Sequence, residues 1–126
     1  DVRTPIFCVA TYTDHVAPWR SVYKLHYMTP AELTFVLTKG GHNAGIVSEP
    51  GRKNRHYQIL KRKAGDQYLS HEDWLATAPR EEGSWWPAWS KWLKERSSGP
   101  AVNPPSMGSK SYPALMDAPG EYVLER

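Results

Sequence analysis

Apolar residues in this chain fall into two blocks before the sequence turns mixed. The first is Pro5-Ile6-Phe7-Cys8-Val9-Ala10-Thr11-Tyr12, and the second is Leu33-Thr34-Phe35-Val36-Leu37-Thr38. Neither alternates cleanly between apolar and polar residues. Near-continuous apolar, β-branched runs suit parallel strands covered on both faces, so strands are predicted near 5–12 and 33–38. Between them, Pro18 suits a first helical position, where its missing N–H costs nothing. Trp19, Val22, Tyr23 and His26 recur at spacings that share one helical face. Thr29-Pro30 ends that helix, because the residue before proline is pushed out of the helical region. A strand–helix–strand unit of this length predicts adjacent parallel strands joined by a right-handed crossover.

The pattern changes over 50–96. Pro50-Gly51 opens a basic stretch, Arg52 to Lys63. His56-Tyr57-Gln58-Ile59-Leu60 and Gln67-Tyr68-Leu69 are expected to pair as a hairpin around Lys61–Asp66. Ser70, with Asp73 three residues on, resembles a capping box and introduces a short helix through Trp74 and Leu75. Gly83-Ser84 then precedes Trp85-Trp86-Pro87-Ala88-Trp89-Ser90-Lys91-Trp92-Leu93. Trp85, Trp89 and Trp92 fall at i, i+4 and i+7, one stripe of a helix. Residues 97–113 are rich in Ser, Gly and Pro and read as an irregular linker. The tail from Ala114 to Arg126 holds Leu115, Tyr122, Val123 and Leu124, enough to dock but not to fold alone. The expected organisation is therefore an α/β segment over 1–96, followed by a Pro/Gly/Ser-rich linker and docking tail over 97–126. There is no internal repeat.

Composition narrows the class. The chain has 126 residues, enough for one small domain, and starts at Asp1 rather than Met, which suggests a fragment. No apolar run is long enough to span a bilayer, and no signal-peptide pattern is present. A single cysteine excludes an internal disulfide framework and fits a reducing cytosol. The net charge of +3 is too mild to argue for nucleic acid. Tyr57 is the only aromatic in the basic run, which gives thin support for base stacking. That run reads as a solvated face; the alternatives are contact with the phosphates of an anionic substrate or, less favoured, with nucleic acid.

The candidate chemistry lies just beyond the two strands. Asp14-His15-Val16-Ala17-Pro18-Trp19 follows the first, and Gly40-Gly41-His42-Asn43-Ala44-Gly45 follows the second. Strand, acidic loop, helix, strand, histidine loop is the closing half of an α/β-hydrolase site, whose chain order is nucleophile, acid, histidine. Asp14 and His42 are the candidate catalytic residues. Nothing upstream supplies a nucleophile elbow. Each residue also has a plain structural reading. Asp14 suits a helix cap, and a lone histidine is more often structural. Their pairing in the right order favours the catalytic reading. Cys8, inside the first strand and without a glycine turn, reads as a small buried apolar residue. His15, His26, His56 and His71 lack metal-ligand spacing, and no metal is expected. The tryptophan stripe reads as core packing; the rival is an interfacial face that meets polymer or lipid.

Three segments resemble class I polyhydroxyalkanoate synthases, the poly-3-hydroxybutyrate polymerase family. They are Asp14-His15-Val16-Ala17-Pro18-Trp19, Gly41-His42-Asn43-Ala44-Gly45 and the run from Gly83 to Leu93. The last is the most specific. The tail Ala118-Pro119-Gly120-Glu121-Tyr122-Val123 is similar to the way these synthases end. The resemblance runs along nearly the whole chain and corresponds to the C-terminal part of the family. It implies the last parallel strands and crossover helix of an α/β-hydrolase fold, then a Trp-rich helical and hairpin extension. It also implies an acyltransferase that takes (R)-3-hydroxyacyl-coenzyme A, releases coenzyme A and extends a polyester held as a thioester on cysteine. His42 matches the family's general base and Asp14 its catalytic aspartate, as orienter of the imidazole or as a group that helps deprotonate the incoming hydroxyl. The family's Gly-x-Cys-x-Gly box is absent from this sequence, so the isolated chain is expected to be inactive. No cofactor is implied, since coenzyme A is part of the substrate.

The partners implied are that substrate, the polyester product and the remainder of the synthase chain, at the surface of cytoplasmic polymer granules. An open strand edge and an uncovered apolar face predict that the free chain is marginally stable or self-associates. Two alternatives remain: a non-catalytic interaction module at polymer granules, and the C-terminal part of another α/β-hydrolase such as an esterase. The Asp14–His42 pair argues against the first and the tryptophan segment against the second.

Overall fold

The computed structural model describes residues 2–125. Its elements are β1 (Ile6–Thr11), α1 (Trp19–Tyr23), α2 (Leu25–Met28), β2 (Leu33–Thr38), β3 (His56–Arg62), α3 (His71–Thr77), β4 (Arg80–Glu82) and α4 (Trp86–Lys94). A 3-10 turn over Tyr122–Leu124 follows. The four strands form one sheet in the order β1-β2-β3-β4. β1 and β2 are parallel, with Ile6 opposite Leu33 and Thr11 opposite Thr38. β3 runs antiparallel to β2, and β4 antiparallel to β3. The architecture is mixed α/β, and the two predicted strands are adjacent and parallel.

Every residue of β2 is buried, as a central strand covered on both faces requires. Successive residues go to opposite faces. Phe35 and Leu37 join Ala10, Trp19, Tyr23, Trp74 and Ala78 on one side. Val36 joins Tyr57 and Trp85 on the other, with Phe7, Val9, Ile59 and Trp86 against them. The first face is aromatic: Tyr23 meets Phe35 and Trp74 at 5.1 and 5.9 Å between ring centres. β1 lies at the sheet edge, and its first four residues are only half-buried.

The helix expected after Pro18 is broken at Lys24 into two short pieces. Of the four positions that the spacing puts on one face, Trp19, Tyr23 and His26 are nevertheless buried, and Val22 is half-buried against the same core. The expected hairpin is corrected more substantially. Lys63 and Asp66 do close a turn, with Asp66 Oδ2 accepting from Lys63 N at 2.9 Å. Gln67–Leu69 forms no strand, however, and β3 pairs instead with Arg80–Glu82. Packing explains the change. Tyr68 turns toward Tyr23 and the aromatic core, and Tyr23 Oη donates to Leu69 O at 3.1 Å. The capping box is present: Ser70 Oγ accepts from Asp73 N at 3.0 Å and starts α3. Gln58 Nε2 then donates to Leu75 O and Ala78 O, both at 2.9 Å, fixing the end of α3 to the sheet.

The basic run is not only a solvated face. Arg62 turns inward and donates to the carbonyl of His26, left open in the last turn of α2, and to those of Thr29 and Ala31 just beyond it. The tryptophan stripe is divided. Trp85 and Trp92 pack on Phe7, at 6.3 and 5.7 Å between ring centres, whereas Trp89 is 43% exposed. Residues 97–121 contain neither helix nor strand and are exposed almost throughout. Among the described residues, no helix is long and apolar enough to cross a membrane.

Candidate active site

Parallel neighbours end on the same side, so the loops that follow β1 and β2 emerge together. In open α/β sheets this carboxyl end of the strands is where sites form. Here the two loops are also stitched to each other. Tyr12 N donates to Thr38 O at 2.9 Å, and Thr13 N to Gly40 O at 3.0 Å.

Asp14 sits three residues beyond β1 and closes its own loop. Its Oδ1 accepts from Val16 N at 2.8 Å and Ala17 N at 2.9 Å. Its Oδ2 accepts from His42 Nδ1–H at 2.9 Å and from Thr11 Oγ1 at 3.2 Å. The Ala17 amide, His42, the Val16 amide and Thr11 together hold the carboxyl well below the usual carboxylate range, against the cost of desolvation. The Asp14 side chain is 7% exposed and that of His42 is 53% exposed. Because a carboxylate only accepts, the proton of a neutral His42 lies on Nδ1 and Nε2 carries the lone pair. The ring's other edge is open to a reacting group.

The His42 loop is compact. Gly45 N donates to Gly41 O at 3.0 Å, and Val47 N to Asn43 O at 2.9 Å. Gly40 has φ +126°, a conformation that L side chains rarely adopt. Gly45 is needed for space: a Cβ there would lie 2.4 Å from Thr11 Cγ2. A shallow groove beside the pair is lined by Val9, Ala17, Val22 and Ile46, giving the imidazole an apolar neighbourhood.

The remaining candidates lie elsewhere. His15 is exposed beside the acid. His26 is buried and stacks on Tyr23 at 4.0 Å between ring centres. Its pKa is lowered by that burial, with Arg62 adding to the effect, against the bond to Tyr23 O. His71 contacts Glu72 and Trp19. Among the described residues, no three His, Cys, Asp or Glu side chains come together as a metal-ligand set. Cys8 lies within β1, and burial pushes its thiol up to about 11, the opposite of an activated nucleophile. No sequence pattern marks Thr11, which braces the acid, as part of the site, and little marks the side chains of 84–86, which reach the histidine loop. The only signal for the latter was the unusual density of indole N–H groups over 85–92.

Fold and site together define a mixed α/β chain with a carboxylate–imidazole pair at the carboxyl ends of adjacent parallel strands. Known proteins narrow this class. No protein-family model matches the chain. Poly(3-hydroxyalkanoate) polymerase 2 of Ectopseudomonas oleovorans is 40% identical over 126 residues, covering 99% of this chain and 22% of that protein. The polymerase subunit PhaC of Rhizobium etli is 38% identical over 126 residues, 100% of this chain and 19% of that protein. The polymerase of Methylorubrum extorquens is 40% identical over 124 residues, 97% of this chain and 20% of that protein. The chain spans about a fifth of the length of these curated relatives and corresponds to their C-terminal part. It belongs, as such a part, to the polyhydroxyalkanoate synthase family.

Proposed function

We propose that this chain supplies the acid–base half of a polyhydroxyalkanoate synthase acting on (R)-3-hydroxyacyl-coenzyme A. The observation that carries the proposal is the bond from His42 Nδ1–H to Asp14 Oδ2, at 2.9 Å, on the strand-end face. In this reading Nε2 removes a proton from the nucleophilic cysteine thiol of the complete synthase. The thiolate attacks the acyl thioester and displaces coenzyme A. Asp14 holds the tautomer and stabilises the imidazolium that forms. His42 then serves again when the hydroxyl of an acyl unit becomes the next nucleophile. The relatives, all poly(3-hydroxyalkanoate) polymerases by name, support the polymerising reaction and its polyester product. The parallel β1–β2 pair, with helical segments between its strands, supports the closing part of an α/β-hydrolase-type sheet. The polymer granule surface is the proposed place of action.

The nucleophile in this reading is a cysteine other than Cys8, because β1 gives Cys8 no elbow and burial opposes its ionisation. The isolated chain is therefore expected to release no coenzyme A from 3-hydroxybutyryl-coenzyme A. Turnover by the purified chain that Cys8→Ser abolishes would overturn this assignment. In the full-length synthase that contains this chain, His42→Ala should lower the rate by about 10⁴-fold or more. Near-normal polymer synthesis by that variant would remove His42 from the mechanism.

A further inference from the structure

The compact turn over 41–47 uses its own amides internally, as the bonds from Gly45, Ile46 and Val47 N to Gly41 and Asn43 O show. The carbonyls of residues 45, 46 and 48 are met by side chains about 40 residues later in the chain. Trp85 Nε1–H donates to Gly45 O at 3.2 Å, and Trp86 Nε1–H to Ile46 O at 2.9 Å. Ser84 Oγ–H donates to Ser48 O. Thr38 Oγ1 adds a long bond to Gly45 O from the end of β2, at 3.4 Å. Three consecutive residues thus grip one short loop.

Aromatic packing alone does not require this. An indole N–H usually finds a partner when buried, yet those of Trp74 and Trp92 are buried with none. Trp85 and Trp86 instead direct theirs at successive carbonyls of the histidine loop. The gripping segment is itself anchored. Trp85 stacks on Phe7 of β1, and Ser84 Oγ accepts from Trp86 N at 3.1 Å. Gly45 is also pressed against Thr11, whose hydroxyl donates to Asp14. The clamp and the acid therefore bear on the same strand end from two sides.

We infer that Ser84, Trp85 and Trp86 are positioning residues that hold the 41–48 loop so that His42 Nδ1–H stays on Asp14. The inference rests on the proposed role of His42 and extends it to residues whose bonds go to the loop backbone rather than to the imidazole. A half-exposed histidine on a glycine-rich loop has many accessible orientations, and misplacement by about 1 Å can cost about 10²-fold in rate. Fixing the loop carbonyls from outside removes that freedom.

The test uses the full-length synthase that contains this chain. Trp86→Phe keeps an aromatic ring and deletes one donor. The expected result is a kcat lower by about tenfold with KM changed by less than about twofold. The low-field proton resonance of the His42–Asp14 bond should weaken or shift as well. Trp89→Phe, a similar change three residues on, should leave rate and resonance as they are. Unchanged kcat and resonance in Trp86→Phe, in a synthase that His42→Ala inactivates, would overturn the clamp and leave the proposed function intact. If His42→Ala stays active, the proposed base role fails. The clamp is then decided by the resonance alone, and an unchanged signal in Trp86→Phe overturns it. Should Trp86→Phe fail to fold, Ser84→Ala removes the hydroxyl donor and Ser84→Thr returns it. A Ser84→Thr enzyme no faster than Ser84→Ala would count against the clamp.

Discussion

The loops carrying Asp14 and His42 lie side by side, yet they are built in opposite ways. The Asp14 loop is local: its carboxylate accepts two amides from its own next three residues and one hydroxyl from the strand it has just left. The His42 loop closes backbone bonds of its own, but its histidine makes none of them and the loop is also held from afar. Thr11 presses on it across the strand pair, and Ser84, Trp85 and Trp86 take its carbonyls. Asp and Asn often close such loops with their own side chains. Histidine on a glycine-rich loop has no comparable device, so its orientation depends on distant groups. A self-bracing acid and an externally braced base form an economical pair: the fixed carboxylate sets one end of the bond, and tertiary packing brings the imidazole to it.

The largest expected effect separates the two loops by function. In the full-length synthase, His42→Ala removes the base itself and should cost about 10⁴-fold or more. Asp14→Asn keeps the loop's amide bonds while removing the charge, and should cost about 10⁴-fold through the wrong tautomer. Polymer synthesis rates with 3-hydroxybutyryl-coenzyme A measure both. If Asp14→Asn were nearly neutral, the acid would be only a loop-closing residue.

A second measurement asks whether any chemistry lies in the strand rather than the loops. Burial pushes the Cys8 thiol up to about 11, which lowers its thiolate fraction near pH 8 by about 100-fold. Iodoacetamide should label the native chain about that much more slowly than the chain in urea. Equal rates would show Cys8 accessible and ionisable.

Two glycine substitutions then compare crowding within the histidine loop. Gly45→Ala puts a methyl 2.4 Å from Thr11 Cγ2, whereas at Gly41 the nearest atom to an added Cβ is 3.8 Å away. Gly45→Ala should cost about 1–3 kcal/mol, and Gly41→Ala within about 0.5 kcal/mol. Thermal melts of the two variants decide it. Equal melting temperatures would show that the loop yields and that Thr11 does not fix it.

The smallest expected effect is the acid sensitivity that Asp14 confers. Its folded pKa lies below that of the unfolded chain, which is about 3.9. As pH falls toward that value, the unfolded chain takes up a proton before the folded one does. The stabilisation is therefore complete above about pH 5 and declines as pH drops through about 4 and below. Asp14→Asn should flatten the melting temperature over that window while leaving its course at neutral pH parallel to wild type. An unaltered acid profile would mean the carboxylate is not held as its bonds imply.

The chain's order of types determined much on its own. Apolar runs of the right length set β1 and β2. The spacing of Trp19, Tyr23 and His26 chose the buried side of α1 and α2. Ser70 with Asp73 set the start of α3. These are local properties, since side-chain period and capping act within a few residues. The positions of Asp14 and His42 just after the two strands were equally legible, because parallel neighbours must end together. Tertiary structure decided the rest. β3 took β4 as its second partner, while Tyr68 went to the aromatic cluster beside Tyr23. Arg62 turned inward to carbonyls at and just beyond the end of α2, which its long, forked side chain spans. The grip of 84–86 on the histidine loop joins residues about 40 positions apart. No periodicity encodes such a contact, which exists only once the sheet has brought α4 beside the strand ends.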